Sequence, residues 1–169
     1  MRSDDAAQIF EVFSDPDVMR YRDGERLEAP ADADVYIAGV HQYAERGELF
    51  EWGIADISSD RVIGTCTLLH VEERHGRAEI GFALGRAHWG RGLAREAVSL
   101  LIAFAFDELG LHRLEADADP RNDRSLRLLE QLGFRREGVL RERYRGEDGM
   151  QDAVILGLLR ADRRTIPPL

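Results

Sequence analysis

The stretch from Glu79 to Arg95, EIGFALGRAHWGRGLAR, holds the residues of this chain whose types and spacing could do chemistry. Ala78, Ile80, Phe82 and Leu84 alternate, which predicts a strand over 77–84 with Glu79 on the opposite face. A glycine-punctuated turn follows from Gly85 to Gly92. From Leu93 the apolar spacing becomes helical, with Leu93, Ala97, Leu100, Leu101 and Phe104 expected on one side. A strand that runs through a glycine turn into a helix presents bare main-chain N–H groups to an anion. The first helical turn has no internal acceptors for its donors, and the peptide dipoles add partial positive charge there. Gly90 and Gly92 carry no Cβ, so a ligand can approach the main chain closely. The chemistry indicated is phosphate capture by the backbone of Arg91, Gly92, Leu93, Ala94 and Arg95. The side chains of Arg86, Arg91 and Arg95 offer local positive charge around it. A tight turn that uses glycine only for its own conformation explains the same residues, and solvated surface explains the arginines equally well.

Two familiar phosphate motifs do not fit. No Gly-Lys-Ser/Thr follows the turn, which excludes a P-loop, and the dinucleotide pattern G-x-G-x-x-G has Arg95 where its third glycine belongs. Composition narrows the class further. The chain has 169 residues, 44% apolar and 33% charged, as expected of one soluble globular domain spanning 1–169. Its longest apolar run, Leu100 to Phe106, is too short to span a bilayer, so no membrane partner is expected. No leader-like segment opens the chain and Cys66 stands alone; the expected location is the cytoplasm, with Cys66 a buried structural thiol. The formal charge of −9 argues against nucleic acid and mildly favours cationic substrates. His41, His70, His75, His88 and His112 have no metal-ligand spacing, so no metal is expected.

The elements that must position the turn read in order. A short helix over 4–13 is followed by a second turn over 17–21 behind Ser14-Asp15-Pro16. A helix over 33–46 is expected to turn Val35, Ile37, Val40 and Tyr43 inward and to stop at Gly47. Strands over 49–57 and 61–71, joined by Ser58-Ser59-Asp60, lead through Glu72–Gly76 into the Glu79 strand. The cradle helix ends at Gly110. A strand over 112–118 should return parallel beside the Glu79 strand by a right-handed crossover. A helix capped by Asn122 and closed at Gly133 follows, then strands over 134–144 and 151–160 around Gly146-Glu147-Asp148-Gly149. The tail Pro167-Pro168-Leu169 is expected to continue no element. The sum is α+β: a mixed, mostly antiparallel sheet flanked by helices.

This order, and three motifs within it, resemble the GNAT acyltransferase superfamily. Trp89-Gly90-Arg91-Gly92-Leu93-Ala94 is similar to its pyrophosphate turn (Q/R)-x-x-G-x-(G/A), in the W-G-R-G-L-A-x-E-A form of the branch that holds RimJ/RimL-type ribosomal-protein acetyltransferases. Asn122-x-x-Ser125-x-x-Leu128-x-x-x-x-Gly133-Phe134 resembles the second signature, and Ser14 to Tyr21 an early segment of that branch. The resemblance covers nearly the whole chain. It implies an N-acetyltransferase that uses acetyl-CoA and moves the acetyl group directly to a primary amine, either a protein N-terminus or a small molecule.

Residue by residue, the resemblance implies that Phe82, Ala83 and Leu84 pair their backbone with the pantetheine arm and that Asn122 hydrogen-bonds it, besides capping its helix. Glu79 matches a catalytic glutamate, a base for the incoming ammonium; a solvated glutamate or an ion pair is the alternative. Ser125 is the candidate proton donor to the leaving thiolate, or an ordinary first-turn residue. Many members carry a tyrosine four residues further on, where this chain has Leu129, which leaves Ser125, Tyr144 or a water as the acid. Trp52 and Tyr144 are candidate linings of the amine pocket, with aromatic core as the default. Rival readings are a non-catalytic acyl-CoA-binding module and a nucleotide-binding oxidoreductase fragment, the latter disfavoured by Arg95.

The family's first strand has only Met1-Arg2-Ser3 available here. Either something replaces it or the chain's start lies downstream of the original one. The open sheet edge is expected to be filled by a partner subunit, which makes a homodimer one expected assembly, or covered by another segment.

Overall fold

A computed structural model describes residues 1–22, 24–146 and 149–163. The sheet has six strands in the order β1-β2-β3-β4-β6-β5. They are β1 Leu49–Ala55, β2 Val62–Glu72, β3 Arg77–Leu84, β4 Arg113–Ala118, β5 Arg135–Gly146 and β6 Gly149–Leu159. Only β3 and β4 pair in parallel; every other neighbouring pair is antiparallel. The helices are α1 Ala6–Phe13, α2 Pro16–Met19, α3 Pro30–Glu45, α4 Leu93–Ala103 and α5 Asp123–Gln131. The α+β architecture expected from the sequence is the one observed. Pro167-Pro168-Leu169 and the Glu147-Asp148 tip lie outside the described residues.

Each face of the sheet has its own core. Ile9, Phe13, Met19 and Ile37 of α1, α2 and α3 bury one face together with Val62 and Ala83. Val98, Leu101 and Ile102 of α4 join Leu126 and Leu129 of α5 over the other face, against Leu68, Ile80, Leu114 and Leu156. Burial of this much apolar surface is the main driving force for the fold.

Two helix faces differ from expectation. α3 starts at Pro30 and buries Ala33, Ile37 and Val40, whereas Val35 and Tyr43 are exposed. At 100° per residue Val35 stands about 200° from Ala33, on the far side of the Ala33–Ile37–Val40 stripe. The side chains of Leu93, Ala97, Leu100 and Leu101 on α4 and of Phe104 just after it do share a side, but that side borders an open groove; Val98 and Ile102 make the deeper contact with the core.

The free edge of β1 is the place of the expected missing strand. Residues Ser3–Asp5 form a single tight turn rather than a strand. A Cβ on Gly53 would stand 3.3 Å from Met1 Cγ, and His41 Nε2 lies 3.0 Å from Met1 O, so Met1 is tucked over this rim. Among the described residues no strand pairs with β1 on that side.

Candidate active site

Parallel pairing between β3 and β4 is short. It joins Arg77, Ala78 and Glu79 to Arg113, Leu114 and Glu115 and then stops. β3 stays paired to β2 as far as Leu84, and β4 stays paired to β6 as far as Ala118. Beyond Glu79 and Glu115 the two strands therefore part into a fork. One side of the backbone at Phe82, Ala83 and Leu84 has no strand partner there. Such unpaired main-chain groups need acceptors and donors from elsewhere.

The two arms of the fork lead to two helix N-termini. β3 leads through Gly85–Gly92 into α4, where Glu96 N–H bonds Gly92 O at 3.0 Å as the first helical bond. The N–H groups of Leu93, Ala94 and Arg95 precede that bond and have no intrahelical acceptor. Gly90 and Gly92 have φ of 73° and 79°, a backbone that L side chains rarely adopt. A Cβ at either would meet no atom within 4 Å. The turn thus needs glycine for its conformation, and clear space lies over its main chain as well. This cradle fits a pyrophosphate: bare donors, positive dipole and room.

β4 leads to α5, whose Asn122 accepts a hydrogen bond from Ser125 N–H at 3.2 Å. The two arms touch: the Arg124 guanidinium lies 4.6 Å from the centre of the Trp89 ring, and Trp89 Nε1 donates to Leu84 O at 2.6 Å. Asn122 and Ser125 are thereby brought to the cradle, with the Ser125 side chain half-buried. Leu129, at the position of the family tyrosine, is buried in the core and brings no hydroxyl.

Arg86 pairs with Asp15 at 3.4 Å and Asp17 at 3.1 Å, so α2 neutralises its charge. Arg91 stands 3.4 Å from His88 Nδ1. Arg95 contributes its main chain, whose carbonyl also accepts from Ser99 Oγ at 2.6 Å.

A cavity of about 560 Å³ lies over the paired stretch just before the strands part, lined by His70, Glu72, Arg77, Glu79, Glu115 and Arg143. Glu79 Oε2 is 3.0 Å from His70 Nδ1. Burial, chiefly, raises the Glu79 carboxyl above its ordinary value; Asp117 and Glu115 add to this, while the hydrogen bond with His70 opposes it. Glu115 is held by Arg77 at 3.1 Å and Arg113 at 2.7 Å. Asp117 accepts a hydrogen bond from the Tyr144 hydroxyl. Burial first, and then that bond, push the Tyr144 phenol up to about 12. Tyr144 therefore belongs to the fork, with its proton committed to Asp117.

Trp52 does not. It stands in register with Cys66, which stands in register with Phe82, on the α4 face of the sheet. Its ring meets Phe104 edge-on at 5.7 Å. Glu79, with an intervening parity of one, points to the opposite face, so Trp52 is not part of an amine pocket around it. Sequence reasoning missed His70, Asp117 and Arg143. Asp117 lay in the expected alternation of its strand, whereas a bulge carries His70 and another carries Arg143.

Cradle, fork and carboxylate thus stand along the same pair of strands. Residues 1–135 match the model of the acetyltransferase (GNAT) domain. The N-acetyltransferase p20 of Bacillus licheniformis is 35% identical over 162 residues, 96% of this chain and 91% of that protein. The spermidine N(1)-acetyltransferase of Escherichia coli K12 is 26% identical over 145 residues, 85% of this chain and 75% of that protein. The solved spermidine N-acetyltransferase of Vibrio cholerae, in complex with CoA and spermine, has a TM-score of 0.85. It is 22% identical and covers 96% of this chain and 94% of its own, a likeness of fold. The chain belongs to the GNAT acetyltransferase family and is an N-acetyltransferase.

Proposed function

We propose that this protein transfers an acetyl group directly from acetyl-CoA to a primary amine. The observation that carries the reading is the fork, which parts immediately beyond Glu79 with the glycine cradle at one arm and Asn122–Ser125 at the other. The main chain of Arg91 to Arg95 binds the pyrophosphate, and Phe82, Ala83, Leu84 and Asn122 take the pantetheine arm. Bound acetyl-CoA supplies an activated acyl group, whose C–S bond breaks as the new C–N bond forms.

The chain's own work is positioning and proton handling. Glu79 accepts the proton of the incoming ammonium, directly or through one water. Its raised affinity for protons suits that task, because a general base works best when its pKa lies near the operating pH. Ser125, whose hydroxyl makes no hydrogen bond among the described residues, donates to the leaving thiolate. Asp117, held by Tyr144, adds negative charge close to Glu79 and favours a cationic acceptor. Spermidine and the alanine of ribosomal protein uS5 are acceptors of named relatives in Escherichia coli; the acceptor here belongs to the same broad class of primary amines. The reaction is cytoplasmic in this reading. No described helix is long and apolar enough to cross a membrane.

The buried Leu129 favours one rival, an acyl-CoA-binding module without turnover. A screen of amines that follows thiol release separates the two. The parent should release thiol with at least one amine class. Glu79→Gln should bind acetyl-CoA normally yet lose about 10²–10⁴-fold in kcat/KM, the usual contribution of a positioned base. Part of the loss should return at high pH, where the free amine is already neutral. An α-amino group, at about 7.7–8.0, reaches that state sooner than a lysine at about 10.4. Thiol release by Glu79→Gln at the parent's rate across this range would refute the assignment.

A further inference from the structure

Strict alternation along β2 would put His70 on the same face as Leu68, away from Glu79. The strand instead slips register between Leu69 and Glu72, and within that bulge His70 takes φ of 50°. Three described non-glycine residues have positive φ: Asp60, His70 and Glu142. Asp60 sits in the β1–β2 turn, and Glu142 sits in the β5 bulge with its N–H bonded to Asp152. His70, like Glu142, sits in a bulge, and this bulge re-aims its side chain. Its side chain goes to Glu79 Oε2, 3.0 Å from Nδ1. A bulge that turns one side chain across the strand onto a half-buried carboxylate points to a role for that side chain.

The surroundings of Glu79 sharpen the role. From β4, Glu115 and Asp117 face it as further negative charge, and from β5 Tyr144 and Arg143 approach. Arg143 lies 5.5 Å from the Tyr144 ring centre, and Arg77 is held by Glu72 and Glu115. Glu48 and Glu72 complete the rim. Among the described residues, His70 alone hydrogen-bonds the Glu79 carboxylate. The Glu79 side chain is 25% exposed and the His70 side chain 71%, so the ring joins an inner carboxylate to solvent.

We propose that His70 is a positioning residue for transfer: the β2 bulge sets its imidazole against Glu79 and fixes the direction of the carboxylate. The inference rests on Glu79 being the base. It predicts that activity depends on His70 through Glu79 alone, and that loss of the ring leaves Glu79 protonated to higher pH.

The test uses His70→Gly and His70→Asn, two residues that adopt positive φ readily, so that neither variant is expected to lose the fold. The readouts are the melting temperature, CoA affinity by calorimetry, and kcat/KM against pH with an accepted amine. Both variants should melt no lower than the parent and bind CoA equally well. Both should lose about tenfold or more in kcat/KM near neutral pH, as expected for the loss of a charge-assisted hydrogen bond, and the acid limb should move to higher pH. In a Glu79→Gln background, adding His70→Gly should change nothing further. If Glu79→Gln is slow while His70→Gly follows the parent's pH profile, the inference falls and the base assignment stands. A change confined to KM for the amine, with the acid limb unmoved, also overturns it. If Glu79→Gln turns over like the parent, both fall together.

Discussion

Gly92→Ala tests the cradle, and its magnitude follows from two numbers. Gly92 is the residue before the first turn of α4, with φ 79° and ψ −7°. Placing an L residue in that left-handed conformation costs roughly 1–2 kcal/mol. For a domain of this length each kcal/mol lowers the melting temperature by about 2–4 °C, so the variant should melt about 2–8 °C lower and still fold. The added methyl meets no protein atom within 4 Å, so it projects into the clear space above the helix. A pyrophosphate in that space would be pushed off the N–H groups of Leu93, Ala94 and Arg95. A hydrogen bond to a charged group is worth about 1.5–3 kcal/mol, so the loss of even one lowers CoA affinity about 10- to 100-fold. Gly110→Ala is the matched control. Gly110 also has positive φ, 69°, and open space at its Cβ, but lies beyond the other end of the α4 segment. It should show the same thermal cost with unchanged affinity. Calorimetry with CoA on both variants decides the matter; a folded Gly92→Ala that binds like Gly110→Ala would refute the cradle.

Two further outcomes are expected. Ser125→Ala should bind CoA normally and lose about tenfold in kcat, as befits a hydrogen bond made to the leaving thiolate, and single-turnover thiol release measures it. Trp52→Ala should leave kcat/KM unchanged, because the ring lies on the opposite face from Glu79. Loss of its contacts with Phe50 and Phe104 should cost about 1–3 kcal/mol in denaturant unfolding, at about 0.5–1.5 kcal/mol per aromatic pair plus some lost burial.

Much of the scaffold was legible because its signals are local. Alternation marked β3 to the residue, Arg77–Leu84, and the Asn122 cap and Gly133 bounded α5. Gly90 and Gly92 announced a turn that the backbone angles explain. What stayed hidden depends on contacts distant in sequence. Nothing local says that β6, rather than β5, lies beside β4. Val35 and Tyr43 were misread because two apolar stripes are compatible with one helix, and only packing chooses between them. Trp52 was misassigned for a related reason: an aromatic on a strand faces whichever side the register dictates, and its register with Cys66 and Phe82 runs across two neighbouring strands. His70 was invisible because a bulge breaks the alternation from which its direction would be read.

The site's position follows from the single parallel pair. The crossover from β3 through α4 returns β4 in the same direction, so the carboxyl ends of both strands face the same end of the sheet. Each then runs into a helix, and both helix N-termini converge there. Had β3 and β4 stayed paired to their ends, Phe82, Ala83 and Leu84 would spend their backbone groups on β4. Because pairing stops at Glu79 and Glu115, β4 takes none of them, and Leu84 O accepts from Trp89 Nε1 instead. Helix N-termini, unpaired strand edge and carboxylates thus arise from one topological event. Antiparallel strands at that place would have sent the two helix N-termini to opposite ends, and no cradle could then have stood beside Ser125.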